Sequence, residues 1–359
     1  MTRIGGAIPG LAVMAWFAAV VIGVARAALG TTEPPVWDAL SYVQKALTFW
    51  QAVDAGKPFN PFDLPMTARP PGTILMSYPW GWSDDFRWFY FRSVIIPMGL
   101  LIAAVYLAGY RMAAARKNHW VLAGLAIALA GMPMLFRFQM LTKEGVYAWG
   151  LVDGFLAGVA ALAAAAVIRS VTSRSVGWAA TAALLAAFCL LIKPAGALLM
   201  AVTGAAWLVL ALTPARLRAD AGERRFISLS LVIAAAIFAL IATAAFTSAY
   251  FSAENIAFGR RVMGMFDREL GSIVSLPLML ELVRESFGYV VPAIVLAGLF
   301  MRNRASAAAL ICLAAGIWLW LSQTDASQIR YFVPFGAMAF VLLVPSVVRA
   351  MDRLPPAPA

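Results

Sequence analysis

The sequence predicts an all-α polytopic membrane protein of about ten transmembrane helices, with a large first outer loop that carries an amphipathic helix. Three observations carry that prediction. Of the 359 residues, 63% are hydrophobic and only 13% are charged, too apolar for a soluble domain to cover with polar surface. Apolar runs of seventeen or more residues recur between short charged links. Each is long enough to cross about 30 Å of hydrocarbon as a helix, the form that satisfies every backbone polar group within one segment. The basic residues, finally, alternate from link to link rather than clustering on one stretch.

The expected spans are about 9–27, 93–110, 120–137, 150–168, 177–192, 195–213, 227–250, 287–301, 305–321 and 331–348. With the N-terminus inside, the inner links hold Arg3, Arg111, Arg116, Lys117, Arg169, Arg174, Arg216, Arg218, Arg224, Arg225, Arg302, Arg304, Arg349 and Arg353. That distribution obeys the positive-inside rule and puts both termini in the cytoplasm. Acids fall the other way: Asp220, Glu223 and Asp352 are inside, Asp153 is within a span, and the other thirteen are outside. The first span, with Arg3 before it and "ARA" at 25–27, imitates a cleavable signal peptide; it is read here as a retained anchor.

A single membrane domain over 1–359 accounts for the chain, with outer insertions at 28–92 and 251–286. In the first, Pro34 and Pro35 suit a helix start, and Gly56 with Pro58 a stop. Val36, Leu40, Val43, Leu47 and Trp50 recur at spacings of three and four, leaving Asp38, Tyr42 and Lys45 on the opposite face. That pattern predicts an interfacial helix. The proline-rich, aromatic stretch that follows is a packed loop, and "PLMLELVRESF" in the second insertion has the same amphipathic character as the first helix.

Composition also removes several chemistries. Cys189 and Cys312 both lie inside apolar spans, which argues against a disulfide framework or a thiolate metal site. The single histidine, His119, sits in a basic link, so acid or base work falls to carboxylates. The net charge of +11 reads as topology, not as a nucleic-acid surface. Asp84 and Asp85 form the one adjacent acid pair, a candidate for a divalent cation on oxygen ligands, set against a solvated loop before Arg87. No metal ligand set is assigned.

The order of motifs is informative. One N-terminal span is followed by "WDALSY", then "GKPFNPF" and "RPPGTILMSYP"; later come "FRFQMLTKEGVYAWGLVDGFLAG", "LLIKPAG" at 190–196 and "RYFVPF" at 330–335. In that order the chain resembles the GT-C superfamily of polyprenyl-phosphate-sugar-dependent glycosyltransferases. Asp38 is followed by alanine, unlike the double-acid pattern of the protein mannosyltransferase branch. The resemblance implies a bacterial-type inner-membrane enzyme with a periplasmic site, a polyprenyl-phosphate-linked sugar donor and a lipid, glycan or protein acceptor.

Physical chemistry assigns roles within that frame. A carboxylate must take the acceptor's proton, and cations must hold the phosphate as charge builds on it. A phosphate leaves as a stable anion, so one carboxylate suffices where glycoside hydrolysis needs two. Asp38 is the expected base, acting with inversion. Lys193, at the outward tip of a hairpin of two short spans, is the sharpest candidate for the phosphate, with Arg330, Tyr331 and Arg137 beside it. Tyr42, Arg69 and Glu144 are candidate acceptor or sugar contacts, with Arg137 and Glu144 also a candidate pair. Asp153 is expected to pair with Arg137 or Lys193, since an isolated acid in a span is costly. A lipid-phosphate or lipid-sugar transporter and a non-catalytic scaffold are the rival readings; the first calls for repeated halves, and no repeat is visible.

Overall fold

The computed structural model describes residues 7–30, 32, 37–58, 60, 72, 74, 85–110, 116–136, 152–212, 221–246, 252–255, 257, 275–322 and 326–352, of which 37–39, 86, 116–117, 136, 245–246, 326–328 and 352 are described by backbone alone. The described elements are α-helices and one 3-10 turn. In chain order they are α1 (Ala7–Gly30), α2 (Trp37–Asp54), α3 (Phe86–Gly109), α4 (Arg116–Ala130), α5 (Pro133–Phe136), α6 (Asp153–Ser173), α7 (Val176–Ile192), α8 (Gly196–Ala211), α9 (Ala221–Phe246), α10 (Leu276–Phe287), α11 (Val290–Phe300), α12 (Arg304–Leu321), the 3-10 turn η1 (Ala326–Tyr331) and α13 (Val333–Asp352).

The bundle is organised around α6, which packs against α3, α7, α8 and α13. Its buried surface is mostly small: Ala157, Ala160, Ala161 and Ala163 through Ala166 all lie inside. In lipid the helices gain little from hiding apolar surface, so close backbone approach and dispersion do the work, and small residues permit both. Gly158 marks one such approach; a Cβ there would stand 2.8 Å from the Leu100 Cβ of α3. At the edge of the bundle, α9 leaves Leu229, Leu231, Val232 and Leu240 exposed, as a lipid-facing helix does.

Among the described residues six helices are long and apolar enough to cross a membrane, namely α1, α3, α6, α9, α12 and α13; the pair α10–α11, bent by 108°, makes a seventh if it is one broken span. The expected ten is not reached among the described residues. The difference lies in α4, α7 and α8, of 15, 17 and 16 residues. At 1.5 Å per residue these are about 22 to 26 Å long, short of the ~30 Å hydrocarbon core. Gly131 and Pro133 stop α4 near 130 where a span to 137 was expected, and Pro194 cuts the α7–α8 hairpin.

The first outer helix forms close to its expected bounds. Its end is a Schellman turn: Gly56 takes φ +89°, its N–H donates to the Val53 carbonyl, and the Lys57 N–H reaches back to Ala52. The buried face differs from the expected one. Tyr42, Val43, Ala46 and Phe49 point inward, Tyr42 being only 2% exposed, whereas Leu40 is exposed. Tyr42 therefore does not lie on a solvent face; it joins the main core together with Val43, while Phe49 packs with Ile74.

In the second insertion Ser275 caps α10 by accepting from the Leu278 N–H, and Gly288 at φ +69° allows the sharp turn into α11. Leu276, Leu278 and Leu280 remain exposed while Phe287 packs edge-on against Phe332, which pins the amphipathic helix to η1.

Candidate functional site

The α7–α8 break is built by its sequence. Pro194 has no N–H to continue α7 and forces the residue before it out of the helical region, so Lys193 is extended at φ −155°, ψ 146°. The chain turns at once: the Gly196 N–H donates to the Lys193 carbonyl at 2.8 Å and the Ala197 N–H to Pro194 at 3.1 Å. Only glycine fits at 196, since a Cβ there would run into the Cys189 carbonyl. Pro194 is the exposed tip. Lys193, expected to point outward, folds back into the bundle and is 8% exposed.

There its Nζ donates to Oδ1 of Asp153 at 2.6 Å, a buried ion pair in which Asp153 is 3% exposed. Of the two partners expected for Asp153, the structure selects Lys193. The geometry suits both charges: Asp153 stands in the first turn of α6, at the positive end of its dipole, and Lys193 at the negative end of α7. A third segment closes the cluster. In η1 the Tyr331 ring lies 3.9 Å from the Lys193 Nζ, a cation–π contact, and the Arg330 guanidinium is 5.7 Å from the same ring. Buried Ile329 and the Phe332 N–H to Ile329 carbonyl bond fix this turn to the core.

Gly72 and Ile74, which follow the proline pair in sequence and are helical, reach the same place. Gly72 lies so close to the end of α7 that a Cβ would collide with the Ile192 backbone and stand 2.8 Å from the Leu191 carbonyl. Ile74, fully buried, packs with Phe49, Trp50 and Val53 of α2. The helix that begins with Trp37 and Asp38 is thus linked through Gly72 and Ile74 to the residues just before Lys193. Sequence reasoning did not anticipate this bridge, although a lone glycine after two prolines was its visible signal.

Of the expected site residues, Lys193, Arg330 and Tyr331 come together, and Asp153 joins them. Asp38 lies in the first turn of α2, its side chain outside the described residues. Arg69, Arg137 and Glu144 lie outside the described residues altogether, as does Asp84. Asp85 caps α3 by accepting from the Arg87 backbone N–H at 3.0 Å, and both its carboxylate oxygens accept from the Arg87 side chain. That hydrogen-bonded guanidinium holds the Asp85 carboxyl below its ordinary value. Among the described residues no three His, Cys, Asp or Glu side chains are grouped to hold a metal ion.

The architecture has solved counterparts. ArnT from Cupriavidus metallidurans, whose crystal structure is bound to undecaprenyl phosphate, matches with a TM-score of 0.57 and 18% identity over 95% of this chain and 60% of that one. The oligosaccharyltransferase of Archaeoglobus fulgidus in its apo form matches with a TM-score of 0.51 and 14% identity over 94% and 52%. The chain spans between half and two thirds of their lengths. No protein-family model and no curated protein matches its sequence. The likeness is one of fold, and it defines the class: a multi-pass helical membrane protein that shares its fold with these two structures.

Proposed function

We propose that this protein is a membrane glycosyltransferase that moves a sugar from a polyprenyl-phosphate donor to a lipid, glycan or protein hydroxyl at the outer face of the inner membrane. The observation that carries this reading is the buried Lys193–Asp153 pair beneath Tyr331 and Arg330, set at a helix break in a GT-C fold. ArnT, with that fold, binds undecaprenyl phosphate.

In the proposed reaction the Asp38 carboxylate takes the acceptor's hydroxyl proton as that oxygen attacks the anomeric carbon. The bond from that carbon to the phosphate oxygen breaks on the opposite side, which inverts the anomer, and both bonding electrons leave with the lipid phosphate. Lys193 and Arg330 balance the charge that develops on the phosphate. Asp153 positions Lys193: the ammonium donates one hydrogen to Oδ1 across a 2.6 Å Nζ–Oδ1 distance, which orients the other two. Arg69, Arg137 and Glu144 are proposed donor or acceptor contacts on the strength of their motifs.

Sugar transfer by the purified protein in nanodiscs, with a panel of labelled polyprenyl-phosphate sugars and a membrane-lipid extract, tests the proposal. Wild type gives product, and Asp38→Asn binds donor without turning it over. Donor that crosses the bilayer unaltered in both forms overturns it in favour of a carrier, a reading that the broken helices at Lys193 and Gly288 also suit.

A further inference from the structure

At the far end of α6, the other face of the bundle holds a cavity of about 530 Å³ that the transfer reaction does not use. Asp153 and Thr172 lie nineteen positions apart on α6, or about 28 Å at 1.5 Å per residue, so the cavity and the Lys193 cluster are separated by the depth of the bundle. Its floor is apolar, including Ile168 of α6 and Leu342 of α13; its rim carries Arg304, Arg349, Asn303 and Ser346.

The rim is held in place by its own bonds. Asn303 caps α12 in a reciprocal box with Ser306 and also donates from Nδ2 to the Ser346 Oγ at 3.0 Å, tying α12 to α13. Arg304 uses Nη1 on the Val209 and Leu212 carbonyls at the end of α8, at 3.3 and 3.1 Å. Those bonds fix its guanidinium at the rim, with Nη2 and Nε not committed to the carbonyls. Arg349 stands at the exposed end of α13.

We propose that this cavity binds the phosphate headgroup of an anionic phospholipid. Two guanidiniums match a phosphate by charge and by their planar donor geometry. The volume falls within the ~300 to 1,000 Å³ of small-ligand sites. The apolar floor selects a lipid over a soluble anion, because glycerol and acyl carbons fill it and inorganic phosphate does not. The positive-inside rule accounts for arginines on this face, though not for a walled cavity between four helices with its rim bonded across α12 and α13. Such basic recesses between spanning helices are where anionic headgroups dock.

Native mass spectrometry and thermal unfolding of the delipidated full chain, with phosphatidylglycerol, phosphatidylcholine or inorganic phosphate added, test this. Wild type retains one phosphatidylglycerol and is stabilised by it, and the other two additives do neither. Arg349→Gln weakens apparent affinity about fivefold, the equivalent of one cation at an anionic lipid surface. Ser346→Leu, which keeps both arginines and fills the cavity, weakens retention as well and serves if an arginine variant fails to fold. Unchanged phosphatidylglycerol affinity in both variants overturns the proposal, as does equal stabilisation by inorganic phosphate.

Discussion

Lys193 and Asp153 are 40 residues apart in sequence and joined at 2.6 Å in the structure, each facing the helix end that suits its charge. The pair ties the α7–α8 break to the start of the central helix. Such a pair adds little net stability, because desolvating two charges offsets their attraction, yet removing one partner leaves the other buried and uncompensated.

Single substitutions at this pair therefore cost more than the double one. Asp153→Asn and Lys193→Met are each expected to lower stability by about 3 kcal/mol, and the double variant to recover most of it. Thermal or denaturant unfolding in one detergent gives the cycle. Additive losses show that the two side chains do not act on each other.

Gly196 and Gly72 separate folding from assembly of the site. A methyl group at 196 meets the Cys189 carbonyl inside one hairpin, so Gly196→Ala is expected to destabilise the whole chain by about 1 to 3 kcal/mol. At 72 the methyl meets the end of α7 from a segment distant in sequence, so Gly72→Ala is expected to push Gly72 and its neighbours off the hairpin while the bundle stays folded. Transfer rate falls, and the unfolding midpoint moves little. Equal midpoint losses for the two variants would refute this division.

Much of the fold was legible because it rests on local rules. Gly56 and Pro58 predicted the end of α2, and the lysine–proline pair predicted the hairpin break. The inward face of α2 was not legible, since both stripes along it are apolar and only the packed bundle decides between them. The partner of Asp153 was equally undecidable, because Arg137 and Lys193 were both plausible by side and depth; a contact across 40 residues is set by tertiary packing. Helices α7 and α8 keep close to their expected bounds and α4 ends early at Gly131; at 17, 16 and 15 residues all three fall short of a full crossing, a shortfall that hydropathy alone does not register. Of the candidate site, the residues Lys193, Arg330 and Tyr331 were singled out by their motifs and lie together in the structure, whereas the Gly72 bridge was not anticipated.

Asp85 gives a prediction in pH. Its carboxyl is held below the ordinary 3.8 chiefly by the side-chain hydrogen bond from Arg87, so the folded state prefers the ionised form. The contribution is full above the unfolded value and is lost as pH falls through the lower folded one. Stability is thus expected to keep this group's full contribution, with no further gain, above about pH 5 and to lose it only below about pH 4. Asp85→Asn keeps a capping oxygen but removes that acid dependence, and Asp85→Ala costs about 1 kcal/mol at neutral pH through the lost cap. Unfolding midpoints of the three forms between pH 3 and 7 check both; parallel acid limbs in wild type and Asp85→Asn would assign the dependence to another group.

The proposed division of labour between Asp38 and Lys193 predicts different kinetic signatures. A base acts only as the proton moves, so Asp38→Asn is expected to lower kcat by about 100-fold to 10,000-fold with donor KM nearly unchanged. Lys193 meets the phosphate both before and during departure, so Lys193→Met raises donor KM and lowers kcat together. Lys193→Arg recovers only part of the loss, because a planar fork beside the Asp153 carboxylate and the Tyr331 ring cannot reproduce a compact ammonium. Asp153→Asn separates positioning from direct contact: it shifts both constants in the direction of Lys193→Met but by less, since the ammonium survives without its orienting partner. Anomeric analysis of the product closes the argument, for an Asp38 that acts as a base yields the inverted sugar. A retained anomer, or an Asp38→Asn defect confined to KM, removes Asp38 from that role while leaving the phosphate-side cluster to be judged on its own variants.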